Sequence, residues 1–424
     1  MIRDWSVLVY MAANNNLGEG LKGCLKHQLG DLEPSDRVTI AVESSHLTQI
    51  GNTHPDRVSH TRSVVAHKGL TELEKMPYRN MADPATLEDF LVWGIKKFPA
   101  KRTMIVLQGH GAAWTPTLPD QVTRIDDNGQ ASLSPGGMPR GGDGKRSAAM
   151  PITELRATLE RVYERTGVMP AVLAFDSCLM SNAEVLHELS GITEVFIASE
   201  DRMHSPERSA ENSLDYAAPL KTIFQTMSDR LNAGEDVTPQ TCAGDWVASA
   251  RRTWTTPTLS AFACDKAPAL SQALDALAET LLGRPEQVKK VLARTRHLGG
   301  EGSYPEYDPM RHLYDVGHLL DNILAESTLA ASHAAARAAR ERYLETRIAH
   351  QSQPEIHTVY HFSYGTEDKG RKAFPAETTT GLSVWLPDNP RIVALEKKYD
   401  ADYNTLRFAQ DTSWGRLVAE VSGS

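Results

Sequence analysis

The 424-residue sequence is poor in cysteine, with only Cys24, Cys178, Cys242 and Cys264 scattered along the chain. No C-x-x-C pair occurs, and no histidine stands at metal-ligand spacing from any of the four. This pattern excludes a disulfide framework and a cysteine-based zinc site. We therefore expect free thiols, most of which in proteins are small buried side chains.

Excess positive charge and long apolar runs are also missing. The chain has 54 acidic and 45 basic residues, for a formal net charge of -9, which argues against a nucleic-acid partner. No apolar run approaches the roughly 18 residues that a membrane helix needs. The first residues lack the cationic region and small-residue cleavage site of a signal peptide. We therefore expect a cytoplasmic protein that binds neither nucleic acid nor membrane.

Two common enzyme motifs are absent as well. The chain has no G-x-x-x-x-G-K-[ST] phosphate loop and no G-x-S-x-G elbow. These absences leave a phosphate-loop nucleotide hydrolase and an α/β serine hydrolase without support.

The first half of the chain alternates apolar, β-branched runs with helical patterns. Strands are predicted over residues 5–12, 37–43, 103–108, 170–175 and 194–199. Near-continuous apolar runs of this length suit parallel strands buried on both faces. One predicted helix starts at Pro84 behind an Asp83 cap, and another starts near Ile152. The alternation predicts an α/β fold with a mostly parallel central sheet and helices on both faces.

The second half is richer in helix. Leu270, Leu274 and Leu277 mark one amphipathic helix, and an Ala- and Arg-rich stretch over 326–350 predicts a longer one. We predict a catalytic core of residues 1–215 and an α-rich region of residues 216–424 packed on it. That region is expected to contribute strands near 357–364 and 380–387, and to end in helix over 402–421.

Residues 115–149 do not fit a compact domain. They hold six glycines and four prolines without apolar periodicity. A loop of this length is usually functional or disordered. It also carries three basic residues, Arg140, Lys145 and Arg146.

Chemically useful residues follow three of the predicted strands. Their turns read Gln108-Gly109-His110-Gly111, Asp176-Ser177-Cys178 and Ser199-Glu200-Asp201. In open parallel sheets, ligands bind outside the carboxyl ends of the strands. We therefore expect a histidine, a cysteine and a group of acids to meet at one sheet edge.

These residues suit acyl transfer by a thiol. Cys178 is predicted to stand where a helix over 181–189 begins, and a helix N-terminus lowers the pKa of a thiol. His110 is placed to take its proton, and the backbone N–H groups of Gly111 and Cys178 are the expected donors to an oxyanion. The competing interpretation is that Cys178 fills the core and that His110 is a surface residue.

Eight segments are similar, in order, to those of one peptidase family. They are residues 10–17, 80–87, 108–114, 175–180, 198–201, 258–261, 381–387 and 403–414. Through them the chain resembles a clostripain-family cysteine peptidase of the caspase, gingipain and legumain clan. The resemblance spans nearly the whole sequence.

The resemblance implies a caspase-like α/β/α sandwich in which His110 is the general acid/base and Cys178 the nucleophile, without a third catalytic residue. It also implies cleavage of a protein or peptide after Arg or Lys, with Asp176 as the residue that selects the P1 side chain. A desolvated carboxylate favours a guanidinium or ammonium partner. Glu200 and Asp201 are expected to add negative potential to the same pocket.

The resemblance has one clear gap. Relatives usually carry Pro-Gly-x-Gly-Trp after the segment matching residues 198–201. This chain has His204-Ser205-Pro206-Glu207-Arg208-Ser209 instead. The P1 preference therefore stays open to other residues.

Latency and calcium are further family associations. Some relatives cut themselves between the histidine and cysteine strands, so we predict a zymogen whose loop is cut at Arg140, Lys145 or Arg146, by itself or by an activating protease or regulator. The competing interpretation is an inert flexible insertion. The sequence requires no cofactor, and the Asp126-Asp127-Asn128 run lacks calcium-loop spacing, so no metal is assigned.

Two alternatives to a basic-specific peptidase stay open. One is a caspase-like protease of another P1 preference, acting in a regulated cascade such as a defence system. The other is a catalytically silent scaffold of the same fold. The presence of both His110 and Cys178 weighs against the scaffold.

Overall fold

A computed structural model describes most of the chain. The described residues are 2–15, 17–48, 55–66, 69–118, 120, 124–125, 131–132, 149–201, 203, 220–250, 258–298, 312–352, 379–398 and 401–424.

A nine-stranded sheet forms the centre of the molecule. Its strands are β1 (Arg3–Ala13), β2 (Val38–Leu47), β3 (Val58–Ala66), β4 (Gly69–Met76), β5 (Ala100–Gln108), β8 (Val172–Asp176), β9 (Val195–Ala198), β10 (Thr258–Ala263) and β12 (Arg347–Ser352). They lie in the order β12-β10-β9-β8-β5-β1-β2-β3-β4. The five strands from β9 to β2 are parallel, and two antiparallel strands flank them on each side.

Two short strand pairs lie outside this sheet. They are β6 (Arg124–Ile125) with β7 (Ala131–Ser132), and β11 (Leu313–Asp315) with β13 (Ser383–Trp385).

Helices cover both faces of the sheet. The longer ones are α2 (Pro84–Lys97), α3 (Ile152–Thr166), α5 (Leu220–Asn232), α6 (Pro239–Ser249), α7 (Ala267–Leu281), α8 (Pro285–Leu292), α9 (Val316–Ala325), α10 (His333–Thr346), α11 (Pro390–Lys398) and α13 (Trp414–Ser422). Three are shorter: α1 (Gly18–Gly23), which continues as a π-helical turn over Cys24–Leu29, α4 (Ala183–Glu188) and α12 (Arg407–Asp411).

The alternation of side chains along β1 explains the two cores. Leu8 and Tyr10 face the core under α2, α3 and α7, while Val7 and Val9 face the core under α1, α5 and α6. Because both faces are covered, the strand is apolar at nearly every position rather than at alternate ones. This is the near-continuous apolar pattern seen in the sequence.

The predicted α/β class and the five strands of the first half are confirmed. The start of α2 is also as predicted, with Pro84 first in the helix and the Asp83 carboxylate accepting from the backbone N–H of Ala85 at 3.0 Å. Capping of this kind satisfies one of the donors that a helix start leaves open.

The second half differs from its prediction in three places. The helix expected to run to residue 350 ends at Thr346, because Arg347–Ser352 pairs with β10 as an edge strand. The strand expected over 380–387 is confined to Ser383–Trp385, and the one expected over 357–364 lies outside the described residues. The strands β10 and β12 of the main sheet were not anticipated.

The second half contacts the first directly behind the cysteine strand. The backbone N–H of Ser383 donates to the carbonyl of Ser181 at 3.0 Å, and the Asn182 amide donates to the Ser383 hydroxyl at 3.3 Å. The division at residue 215 stays a prediction, because that position falls outside the described ranges. Within those ranges, no helix is long and apolar enough to cross a membrane.

Gly381 gives a testable prediction about how the segment before β13 packs on β10 and β12. Its φ is +108°, and a Cβ there would overlap the Ser260 hydroxyl and lie 2.7 Å from His350 Nδ1. Gly191 has a similar φ of +81° with open space around it. We expect Gly191→Ala to cost about 1–2 kcal/mol through backbone strain and Gly381→Ala a further ~1–3 kcal/mol through overpacking.

Urea unfolding of the two variants measures this difference. Equal midpoints for Gly381→Ala and Gly191→Ala would contradict the close packing of Gly381 against Ser260 and His350.

Candidate active site

The ends of β5 and β8 place the predicted histidine and cysteine side by side. The two strands are parallel neighbours, and Gln108 pairs in register with Asp176. Just beyond, the backbone N–H of Gly109 donates to the Asp176 carbonyl at 3.3 Å. His110 and Cys178 each follow these paired positions by two residues, so they leave the sheet at the same edge.

Gly111 is the point where the two turns touch. A Cβ at this position would overlap the backbone carbonyl of Cys178 and lie 2.8 Å from Met180 Cγ. Only glycine allows the backbones to approach this closely. The contact sets the spacing between the histidine turn and the cysteine turn.

The histidine turn is a closed loop. The His110 carbonyl accepts from the backbone N–H of Leu118 at 3.0 Å and from the Thr117 hydroxyl at 2.8 Å. Ala113 and Leu118 both have positive φ values, 57° and 52°, which non-glycine residues adopt rarely. The His110 side chain is half-buried, and burial lowers its pKa to about 4. The imidazole is therefore neutral at neutral pH and able to accept a proton.

The cysteine turn is anchored to the end of β9. The backbone N–H of Leu179 donates to the Asp201 carbonyl at 3.0 Å, and that of Ser181 donates to the Ser199 carbonyl at 2.9 Å. Leu179 adopts a φ of 64°, which turns the chain sharply after Cys178. These bonds tie the third predicted turn to the second.

The Cys178 thiol has a donor that the sequence did not reveal. The backbone N–H of Met203 points to Cys178 Sγ at 3.2 Å, and the thiol lies 3.4 Å from the Met203 carbonyl. The N–H donor favours the charged thiolate, whereas the carbonyl, which accepts from the S–H group, favours the neutral thiol. Met203 is distant in sequence and contributes only its backbone, so no residue pattern could have marked it.

The prediction that Cys178 starts a helix is wrong. The helix α4 starts at Ala183, five positions later, and Asn182 caps it. The left-handed Leu179 and the extended Asn182 prevent the helix from reaching back to the thiol. Activation of Cys178 therefore depends on the groups around its own turn.

The remaining thiols are in different surroundings. Cys24, Cys242 and Cys264 are buried, whereas Cys178 is partly accessible. Burial raises the pKa of Cys24 to about 12, and those of Cys242 and Cys264 also rise well above the usual range. These three thiols are poor nucleophiles at neutral pH.

Asp176 is held by the strand beside it. The Gln108 amide donates to the Asp176 carboxylate at 2.6 Å and lies 3.6 Å from the Cys24 sulfur. Asp176 is buried two residues before Cys178. No residue pattern marked Gln108, although its position in register with Asp176 follows once the two strands are known to be neighbours.

Glu200 and Asp201 have separate surroundings. The Glu200 side chain is fully buried, and burial together with the neighbouring Asp315 raises its pKa well above the usual range. The Asp201 carboxylate lies 3.8 Å from the buried guanidinium of Arg296.

Several predicted positions lie outside the described residues. They are Arg140, Lys145, Arg146, the acidic run 126–128 and the divergent segment 204–209. In the part of the chain that is described, no group of three or more His, Cys, Asp or Glu side chains could hold a metal ion.

A histidine turn and a cysteine turn that touch through their backbones at one edge of a parallel sheet are the arrangement expected of a cysteine-type peptidase. The model of the clostripain family matches residues 9–420, so the chain belongs to the clostripain family. No curated protein matches the chain in sequence.

Solved structures of this family share the fold at low sequence identity. An inactive zymogen C11 protease from Parabacteroides distasonis is 18% identical, with a TM-score of 0.64 over 97% of this chain and 99% of that one. A secreted C11 cysteine protease from Bacteroides thetaiotaomicron bound to an irreversible peptide inhibitor is 15% identical, with a TM-score of 0.61 over 97% and 99%. A structure of the secreted protease iotapain from the same organism is 16% identical, with a TM-score of 0.62 over 96% and 98%.

The pKa of His110 can be measured directly. In Cys178→Ala, which removes the thiol, we expect the imidazole to titrate at about 4, since burial disfavours its charged form. The unfolded chain binds this proton near pH 6.5, so the free energy of unfolding should fall as the pH drops below that value. NMR titration measures the shift, with His110→Gln identifying the resonance. An ordinary value near 6.5 would contradict the described burial.

Proposed function

We propose that the protein is an endopeptidase that uses a Cys178–His110 dyad and cleaves after Arg or Lys. The observation that carries the proposal is the contact of the Gly111 backbone with the Cys178 carbonyl at the ends of two neighbouring parallel strands. This contact brings the histidine and cysteine turns within reach of one peptide bond.

The proposed reaction starts with proton transfer. The neutral His110 imidazole takes the Cys178 proton, and the resulting thiolate attacks the carbonyl carbon of the scissile bond. The imidazolium then donates its proton to the leaving amine, and a water activated by His110 hydrolyses the thioester. The donor from Met203 to the sulfur supports the thiolate form.

The oxyanion of the tetrahedral intermediate needs two N–H donors. The backbone amides of Gly111 and Cys178 are proposed for this role. The two turns are in contact. Each follows the end of a strand, and the hydrogen bonds between these two strands hold their ends in place. Donors fixed in this way cost little reorganisation when charge develops.

Asp176 is proposed to select the P1 side chain, with Asp201 as a weaker contributor. Asp176 is buried two residues from the nucleophile, and its carboxylate already has an orienting amide in Gln108. Asp201 is offset by the nearby Arg296, and the fully buried Glu200 lies beside Asp315, which together with burial raises its pKa. Of the three predicted carboxylates, Asp176 is therefore the one best suited to bind a cationic side chain.

Peptides that differ only at P1 test this assignment. We expect cleavage after Arg or Lys by the purified protein and none by Cys178→Ala. Asp176→Asn keeps the shape but removes the charge, and should lower kcat/KM for basic P1 by on the order of a hundredfold. The rate at which iodoacetamide alkylates Cys178 is the control, and it should stay near that of the wild type.

Cleavage after another residue would keep the dyad and remove Asp176 as the selector. It would favour the alternative of a caspase-like protease in a regulated cascade. Absence of cleavage by intact and nicked protein alike would favour a silent scaffold.

We further propose that the chain is made as a zymogen, and that cleavage at Arg140, Lys145 or Arg146 activates it. The described ends of this loop support the idea. Thr117 and Met150 exchange two backbone hydrogen bonds of 2.8 and 2.7 Å, so both ends are fixed beside the histidine turn.

Replacement of all three basic residues by Ala should leave the chain intact and latent. Gel analysis of processing, together with the peptide assay on the wild type and on the triple variant, measures this. Cys178→Ala mixed with active protein separates self-cleavage from cleavage in trans. Normal processing and full activity of the triple variant would remove the idea.

Two expectations remain proposals. The cytoplasmic location came from the sequence alone, whereas two of the structural relatives are described as secreted proteases. Calcium has no ligand group among the described residues, so no catalytic step is assigned to it.

A further inference from the structure

Three sequence segments near the candidate site have no assigned role so far. They are the apex of the histidine turn at Trp114, the strand Ser383–Trp385, and Tyr403 in the C-terminal region. Trp385 and Tyr403 both bind one buried acid, Glu184, which lies six residues after Cys178, and Trp114 packs against these two aromatic residues.

Glu184 binds the C-terminal region through one oxygen. Its Oε1 accepts from the backbone N–H of Trp385 at 2.9 Å and from the Tyr403 hydroxyl at 2.9 Å. Glu184, Trp385 and Tyr403 are all at most 5% exposed. The carboxyl therefore fixes the positions of two aromatic residues that are distant in sequence.

These two aromatic residues support the histidine turn. The Trp114 ring packs edge-on against both, with centroid distances of 5.0 Å to Trp385 and 5.1 Å to Tyr403. The centroids of the Trp385 and Tyr403 rings are 4.6 Å apart. Such contacts have a preferred geometry in addition to their buried area. Because the turn is closed between His110 and Leu118, fixing Trp114 at its apex fixes the orientation of the whole turn.

The cysteine turn is bound to the other side of Glu184. The acid lies on α4, whose cap Asn182 continues directly from the turn and pairs with Ser383. Glu184 is thus joined to Cys178 through a short, hydrogen-bonded stretch of backbone. The same carboxyl connects to both halves of the dyad.

Burial of this acid is expensive, because the interior disfavours its charged form. Burial raises the pKa of Glu184 to about 7. A leucine or methionine would fill the same space without that cost. Unlike those apolar side chains, the carboxyl accepts hydrogen bonds that fix the positions of Trp385 and Tyr403.

We propose that Glu184 is a positioning residue that holds the His110 turn at its working distance from Cys178. The catalytic consequence rests on the proposed peptidase function, whereas the support that Glu184 gives to Trp385 and Tyr403 does not depend on that function. Glu184 itself touches neither substrate nor the reacting atoms.

Glu188 supplies a matched control. It lies one turn further along the same helix, is 2% exposed, and accepts through its carboxylate from the backbone N–H of Arg407 at 3.0 Å. Its bond supports α12, whose Phe408 packs on Trp414 and so is connected to the aromatic cluster only through the bond from Trp414 to the Trp385 carbonyl. Glu188→Met therefore removes a comparable buried bond that is further from Trp114 than the bonds of Glu184.

Four variants are compared with the wild type in the peptide assay. We expect Glu184→Met to lower kcat by on the order of tenfold to a hundredfold with KM within about twofold, because misplacement of a catalytic group affects the chemical step. Glu184→Gln keeps an acceptor oxygen and should recover part of the loss. Tyr403→Phe should lower kcat less than Glu184→Met does. Glu188→Met should keep kcat within about twofold of the wild type, although its melting temperature should be lower.

Equal losses of kcat in Glu184→Met and Glu188→Met would overturn the proposal, since they would indicate general destabilisation. An unchanged kcat in Tyr403→Phe would overturn it too, and this variant keeps the test valid if Glu184→Met does not fold.

Failure of the peptidase function itself is recognised separately. If the wild type cleaves no peptide, the rate of Cys178 alkylation by iodoacetamide replaces kcat as the readout. Slower alkylation in Tyr403→Phe and Glu184→Met than in Glu188→Met supports the positioning role. Equal rates in all variants contradict it.

Discussion

The close contact between Gly111 and the Cys178 carbonyl is the constraint on which the site depends. It is available because β5 and β8 are parallel neighbours whose last residues, Gln108 and Asp176, pair in register. Parallel pairing carries both chains to the same sheet edge, and the absence of a side chain at Gly111 lets the two turns meet. A neutral imidazole and a thiol with a backbone donor then share one location.

The C-terminal half completes this arrangement rather than standing apart from it. It supplies β10 and β12 to the central sheet and places β13 against the residues that follow the cysteine turn. The Trp414 indole donates to the Trp385 carbonyl at 2.9 Å, so the last helix also supports the histidine turn. A chain without this half would lose the contacts that orient Trp114, which explains why family-like segments extend to residue 414.

Much of the parallel sheet was predictable, because strands buried on both faces leave near-continuous apolar runs such as those of β1 and β5. The edge strand β12 was not predictable, because Arg347–Ser352 is only half-buried and its sequence follows an Ala- and Arg-rich helix without a change in composition. Within the site, the placement of His110 and Cys178 at one edge followed from their strands. The late start of α4 depends on the backbone angles of Leu179, which no residue pattern announced. The donor from Met203 likewise depends on tertiary contact alone.

The central claim is that His110 activates Cys178, and the rate of thiol alkylation tests it most directly. Because Cys24, Cys242 and Cys264 are buried with raised pKa values, iodoacetamide at near-neutral pH should report Cys178 alone. The account predicts one fast-reacting thiol in the wild type, located at Cys178 by peptide mass analysis, and a marked loss of rate in His110→Ala. A Cys178 that reacts slowly, and at the same rate with or without His110, would contradict it.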